Sequence, residues 1–321
     1  MRRQEFVGAI AGVAKHVALA VLVACCLFAS AARTEALEPI QVNNRVWAIV
    51  GEIGQRSASN LGTNATFGVI LTSKGIVLVD AGGTAKGAAA IDQVLRKISD
   101  LPVVAVINSG GQDHRWLGNS YWKSKGARLI SSKAAVADQR ARFDIQREAL
   151  RQLTGDATLE GSVPEYADET FESELDLAIG DVRIQLRHPG RAHTPGDLFV
   201  WLPEQRVAFS GDIVVAKRML AILPDPLSTS ADWIKAFDAL AMLQPDVVVA
   251  GHGGPVNLRQ ATRETRDYLQ HLRDSVKAVI VRKGSMTEAA RVDQSAFRHL
   301  AGADDLSGRN AQAVFVEMEF D

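Results

Sequence analysis

Cysteine is almost missing from this chain of 321 residues: the two present, Cys25 and Cys26, stand side by side near the start. Both fall in a leader expected to be removed, so the mature chain has no thiol. This excludes a disulfide framework even in an oxidising compartment, and it excludes thiolate as a metal ligand. An excess of charge is missing too, with 36 Lys and Arg against 37 Asp and Glu. A nucleic-acid partner would need a basic face to neutralise phosphates, so no nucleic acid is expected and the substrate should be a small molecule. Nor is there a long apolar run: the leader's apolar core falls short of the ~20 residues that cross the hydrocarbon layer. No membrane attachment is expected once the leader is gone.

The leader itself, residues 1–36, reads as an export signal. Arg2, Arg3 and Lys15 precede the apolar stretch Val17 to Phe28, and Ala31-Ala32 opens a small-residue cleavage region. Arg2-Arg3 followed by Phe6-Val7 resembles a twin-arginine signal. The expected location is periplasmic or secreted. The leader holds four basic and two acidic residues, and its removal moves the net charge from −1 to −3. The pattern says nothing about oligomeric state.

Apolar residues make up 47% of the chain, enough to bury one sizeable core over residues 37–321. Short β-branched runs alternate with amphipathic stretches. Val46 to Val50, Phe67 to Thr72 and Gly75 to Val79 read as strands, residues 85 to 98 as a helix, and Pro102 to Ile107 as a buried strand. A helix is expected over 134 to 153 and a polar loop from Gly155 to Glu174. Strands resume at Val182 to Leu186, Leu198 to Leu202, Arg206 to Ser210 and Asp246 to Ala250, with a helix near Ala231 to Leu243. A single long helix, Leu258 to Arg282, is expected in the helical extension 255–321. Helices outside two sheets give the expected fold class, a four-layer αββα domain.

Three glycine-flanked settings follow or close apolar runs: Ala192-His193-Thr194-Pro195-Gly196-Asp197, Ser210-Gly211-Asp212 and Ala250-Gly251-His252-Gly253-Gly254. Imidazole and carboxylate suit a borderline divalent ion, and loops at strand ends let distant residues converge on it.

These residues resemble the metallo-β-lactamase superfamily, over about residues 40 to 320. The match rests on Asp80 after a hydrophobic strand, Gly118-Asn119, the His193 to Asp197 run, Ser210-Gly211-Asp212 and Gly251-His252-Gly253. Asn310 to Glu319 and the long helix before it look most like periplasmic members tied to sulfur oxidation or quinoprotein systems. The resemblance implies a hydrolase with up to two zinc ions between the sheets. It puts His193 in the first site, Asp212 as the bridge and His252 in the second site. Asp80 would orient ligand histidines.

The resemblance breaks in the loop Asn108 to Asn119. The family's His-x-His-x-Asp-His is degenerate here, and an ungapped count sets Gly110 and Gln112 on the first-site histidines. The first site then keeps only His193, Asp212 and the weak donor Gln112. The same count puts His114 on the family Asp and Arg115 on the family His; a one-residue shift instead restores Asp113-His114 as the Asp-His pair. With the shift, Asp113, His114, Asp212 and His252 hold one zinc ion at the second site, with iron or manganese as alternatives. Without it, Arg115 points its charge at Asp212 in place of a metal.

The function expected is an exported metal-dependent hydrolase of a small ester, thioester, amide or lactam. Asp113 would orient the attacking water and His193 would hydrogen-bond the substrate. The rival is a binding or accessory protein of a periplasmic oxidation system that has lost hydrolysis. Trp116, Tyr121, Trp122, Trp201 and Trp233 are expected in the core, and His188 in a turn.

Overall fold

The computed structural model describes residues 37–319; the expected export signal lies outside them. Two sheets face each other. The first has seven strands in chain order: β1 (Glu38–Gln41), β2 (Val46–Val50), β3 (Thr66–Thr72), β4 (Gly75–Val79), β5 (Val103–Asn108), β6 (Arg128–Ser132) and β7 (Glu169–Phe171). It is antiparallel from β1 to β4 and parallel from β4 to β7. The second holds β8 (Glu174–Ile179), β9 (Val182–Arg187), β10 (Phe199–Leu202), β11 (Val207–Phe209), β12 (Val247–Ala250) and β13 (Gly254–Val256), laid out in reverse order with β11 and β12 parallel.

Every residue of β4 is apolar or glycine because both faces of that strand are covered. Val77 and Val79 turn inward against Ile184, Val200, Leu202 and Phe209 of the other sheet. Ile76 and Leu78 turn outward against Ala88, Ile91 and Leu95 of the helix Ala85–Ile98. That helix is capped by Thr84, which accepts from Gly87 N, and it ends on Arg96 and Lys97, the charge its C-terminus favours. On the outer face of the second sheet, Ala208 and Val248 are covered by Trp233, Phe237 and Leu240 of the helix Ser230–Ala241 and by Leu269, Leu272 and Val276 of the helix Asp267–Val281. The layers therefore run helix, sheet, sheet, helix.

Two expectations need correction. The single helix from Leu258 is interrupted by a π turn at Thr262–Arg266. The extra residue lets Thr265 Oγ1 donate to Val215 O at 2.8 Å and accept from Val215 N at 3.1 Å, while Glu264 accepts from Lys217 N at 2.7 Å. The backbone bonds there at i+5, Asp267 N to Thr262 O, while the two side chains hold the segment 215–217. The supposed loop Gly155 to Glu174 holds the short helix Asp156–Leu159 and edge strand β7, which is too polar to carry an alternating pattern. The chain ends in a helix, Ala303–Met318, tied by Glu317 to Arg273 at 2.5 Å and to Ser230 N at 2.7 Å. No helix among the described residues is long and apolar enough to cross a membrane.

Candidate metal centre and cavity

The loops after β5, β11 and β12 open at the same end of the two sheets. After β5 come Ser109 to Gln112 and then the short helix Asp113–Trp116; after β11 comes a tight turn, Gly211–Ile213; after β12 comes His252. Gly251 is required where two of these loops touch. A Cβ there would lie 2.3 Å from Gly211 O and 2.6 Å from an Arg115 nitrogen. The loops frame a cavity of about 750 Å³, whose floor carries His114, Asp212, His252 and His193.

Three of these side chains come together. His114, Asp212 and His252 each offer a ligand atom, and all three atoms lie within 4.8 Å of one another. His114 Nε2 is 3.2 Å from Asp212 Oδ2, and His252 Nε2 is 3.3 Å from Asp212 Oδ1. His252 Nδ1 is 2.9 Å from Asn64 O and His193 Nδ1 is 3.0 Å from Ala221 O. A carbonyl only accepts, so both Nδ1 atoms carry the proton and each Nε2 is left with a bare lone pair. Burial lowers the pKa of His252 to about 3 and that of His193 to about 4, which keeps both rings neutral.

Asp113 does not join this group. Successive helix residues point in different directions, and Asp113, His114 and Arg115 are consecutive in one helical turn. Asp113 pairs with Arg56 instead. Burial alone would raise its carboxyl, but Arg56 and His114 hold it down to about 2. His114 reaches the cluster as the ungapped count places it. Arg115, fully buried, forks between two aspartates: Nε to Asp212 at 3.0 Å, Nη2 to Asp212 at 2.5 Å and Nη1 to Asp80 at 2.8 Å. Burial opposes the charge on Asp212, yet Arg115 and then His114 keep its pKa well below the usual carboxylate range. Among the described residues Asp80 bonds no histidine. It sits at φ +73° and takes Ser109 N at 2.7 Å and Ser109 Oγ at 2.9 Å, so it orients the ligand loop and Arg115.

The expected first site is filled by other bonds. Gly110 O accepts from Gln139 Nε2 at 3.0 Å, Gly111 O from Gln146 Nε2 at 3.0 Å, and Gln112 Oε1 from Arg142 Nη1 at 3.2 Å. A Cβ on Gly110 would stand 2.3 Å from Asp197 Oδ1. Burial pushes the Asp197 carboxyl up to about 8, and it bonds Thr194 N at 2.8 Å. His193 lines the cavity but is not one of the three converging residues. His188 Nδ1 lies 2.7 Å from Asp197 O in a turn. Trp116, Trp122, Trp201 and Trp233 are buried, and Trp233 also closes one wall of the cavity.

Sequence reading missed Arg56, Asn64 and the Gln139, Arg142 and Gln146 set. The last three carried a signal: they recur at helical spacing on one face of the helix Lys133–Thr154, where an apolar stripe would be the rule.

Comparison with known proteins adds a family. The profile described as Metallo-beta-lactamase superfamily matches residues 61–252. The metallo-beta-lactamase type 2 of Elizabethkingia meningoseptica is 25% identical over 214 residues, which cover 65% of this chain and 76% of that protein. The linear primary-alkylsulfatase of a Pseudomonas species is 23% identical over 245 residues, covering 64% of this chain and 45% of that protein, so the chain spans about half its length. Among solved structures, a metallo-beta-lactamase from Pontibacter korlensis superposes with a TM-score of 0.58 at 19% identity, covering 73% of this chain and 99% of that one. The stereoselective inverting sec-alkylsulfatase of a Pseudomonas species gives 0.67 at 17% identity, covering 88% of this chain and 50% of that one. At these identities the structural likeness shows the fold.

Proposed function

We propose, from the premise that the chain belongs to the metallo-β-lactamase superfamily, that it is an exported hydrolase of small molecules working with a single metal ion. His114, Asp212 and His252 are the residues that would hold the ion. The family implies a metal, and the donor chemistry fits one. His252 Nε2 and Asp212 Oδ1, both acceptors, face each other at 3.3 Å with the only imidazole proton committed to Asn64 O on the far side of the ring. A cation between two lone pairs removes that conflict, and this contact carries the reading. His114 Nδ1 stands 3.3 Å from Asp113 Oδ1 on the far side of its ring, which leaves Nε2 as the nitrogen turned toward Asp212.

Three protein donors and an open side facing a cavity are the pattern of a catalytic rather than a structural site. A bound divalent cation would supply Lewis acidity there. The surrounding residues do the rest. His193, neutral and with Nε2 bare, accepts a proton or a hydrogen bond from whatever lies beside it. Arg115 fixes Asp212 by two parallel bonds and takes up part of its charge, which favours one metal ion over two. Asp113, paired with Arg56, has no part in this scheme as a ligand. The substrate is a small ester, thioester, amide, lactam or sulfate ester; the lactamase and alkylsulfatase relatives support that range.

Elemental analysis of protein purified without added zinc tests the reading. The expected content is near one ion per chain, iron or manganese being possible in place of zinc, and His252→Ala should abolish it. A metal-free wild-type protein would sink the proposal. It would favour instead a binding or accessory protein of a periplasmic oxidation system, in which Arg115 alone supplies the cation that Asp212 needs.

A further inference from the structure

Gln112 stands where the resemblance sets a first-site histidine, yet its amide is turned the wrong way for a metal donor. Oε1, the one atom of the side chain that could bind a metal, accepts from Arg142 Nη1 at 3.2 Å. A guanidinium only donates, so this bond decides which end of the amide is oxygen. Nε2 is therefore turned away from Arg142, and among the described residues it has no acceptor. Gln112 is half-buried and lines the cavity that holds His114, Asp212 and His252. Gln139 and Gln146 are set the other way round, each with its nitrogen spent on a loop carbonyl, Gly110 O and Gly111 O.

The amide is held from behind. Arg142 Nε donates to Asp138 Oδ1 at 2.6 Å, Nη2 bonds the other carboxylate oxygen, and Asp138 is buried. Asp138 comes so close to the loop that a Cβ on Gly111 would lie 1.8 Å from Oδ2, so only glycine fits there. Gly111 N donates to Thr194 Oγ1 at 3.1 Å and Arg115 N to Gln112 O at 2.9 Å, which fixes the backbone that carries the amide. Burial lowers the pKa of His193 and the charge of Arg142 adds to that, which puts the guanidinium near a ring of the cavity floor. A cation at Oε1 draws electron density through the amide and strengthens Nε2 as a donor.

We propose that Gln112 is a catalytic residue whose Nε2 donates to the oxygen of the substrate's electrophilic centre, the oxygen that gains negative charge when water attacks. Asp138 and Arg142 are its positioning residues. The proposal rests on the hydrolase reading for turnover, though not for binding. With an ester, the water oxygen bonds to the carbonyl carbon, one water proton passes to the neutral His193, and the π pair moves onto the carbonyl oxygen beside Gln112. The pair then returns, the bond to the leaving oxygen breaks, and that oxygen takes the proton from His193, so that acid and alcohol leave. Gln112 keeps both its protons and gives only a hydrogen bond, which is strongest when the charge is greatest.

Two-dimensional NMR of the full-length protein in metal-free form, titrated with δ-valerolactam, reads that hydrogen bond directly. The Gln112 side-chain amide pair, assigned by its absence from Gln112→Glu, should shift and saturate. Gln112→Glu turns the donor into an acceptor and should weaken the lactam about five-fold, the loss of one hydrogen bond. In the zinc-loaded protein with p-nitrophenyl acetate, Gln112→Glu and Gln112→Ala should lower kcat by about 100-fold, the loss of one oxyanion donor, with KM within about five-fold and metal content unchanged. Arg142→Met leaves the amide in place but free to turn, and should lower kcat by about ten-fold, less than loss of the donor itself. Both losses should shrink when sulfur replaces the carbonyl oxygen of the ester, since sulfur is a weak acceptor; a merely structural role would leave them unaltered. Unmoved Gln112 resonances, a lactam bound equally well by Gln112→Glu, or an unchanged kcat overturns the proposal. A wild-type protein without metal or turnover counts against the hydrolase reading alone, because the titration still decides whether the amide donates.

Discussion

The loop after β5 and the loops before β10 and after β12, which carry His193 and His252, border the same cavity, but they treat their polar atoms in opposite ways. In the first, the chain satisfies itself: Gln139, Gln146 and Arg142 fill the acceptors of Gly110, Gly111 and Gln112, and Arg115 spends its donors on Asp80, Asp212 and Gly251 O. In the second, imidazole nitrogens are left bare toward the cavity, their other nitrogens anchored on Asn64 O and Ala221 O. The first loop is built for rigidity. The second keeps ligand atoms available at the cost of leaving them unpaired. A loop with Gly110 and Gln112 in place of donor histidines can be held this way when buried partners take over its acceptors.

The comparison breaks most visibly at Arg115. Arg115→Leu leaves Asp80 and Asp212 buried without their cation and should cost about 3–5 kcal/mol, the range for removing one partner of a buried pair. Urea denaturation reads this as a lower midpoint at unchanged slope; an unmoved midpoint would mean the fork contributes nothing to the loop. Gly110→Ala comes next. Its Cβ would press on Asp197 Oδ1, and overpacking of this kind costs about 1–3 kcal/mol. For the same reason Gly110→His with Gln112→His should not regain a second ion, and elemental analysis should still find one. His193→Ala, on the cavity side, removes a single hydrogen bond to Ala221 O and should cost only about 1 kcal/mol. A loss as large as that of Arg115→Leu would show that both loops are equally self-satisfied.

Most of the fold was legible because its strands are buried on both faces or alternate cleanly. β4 reads as an unbroken apolar run, and β9 alternates Val182, Ile184 and Leu186 with Arg183, Gln185 and Arg187. The edge strand β7 escaped notice because Glu169-Thr170-Phe171 is too short to show a pattern, whereas β8 does alternate Leu175, Leu177 and Ile179 with Glu174, Asp176 and Ala178 and was missed next to an acidic segment read as loop. The π turn escaped because its cause, Thr265 bonding to Val215, lies fifty residues away. At the site, His193, Asp212 and His252 announced themselves by their glycine-flanked settings. The loop before them did not settle between Asp113-His114 and His114-Arg115, since the choice depends on which side of a four-residue helix faces Asp212.

Asp197 gives the smallest and most selective test, because it touches the rigid loop without belonging to it. Burial raises its carboxyl to about 8 in the folded chain, far above its ordinary value, so the folded state holds a proton that the unfolded state has already released. Stability from this group is complete below the unfolded pKa and is lost as pH rises through the folded one. Between about pH 7 and about pH 9 the loss should be about 1 kcal/mol, one pKa unit of linkage. Asp197→Asn keeps the shape and the bond from Thr194 N, and carries no proton to lose. Its denaturation midpoint should therefore stay level over that range while that of the wild type falls. Parallel curves for the two proteins would mean that Asp197 is ionised in the fold, and that the space beside Gly110 holds a carboxylate charge after all.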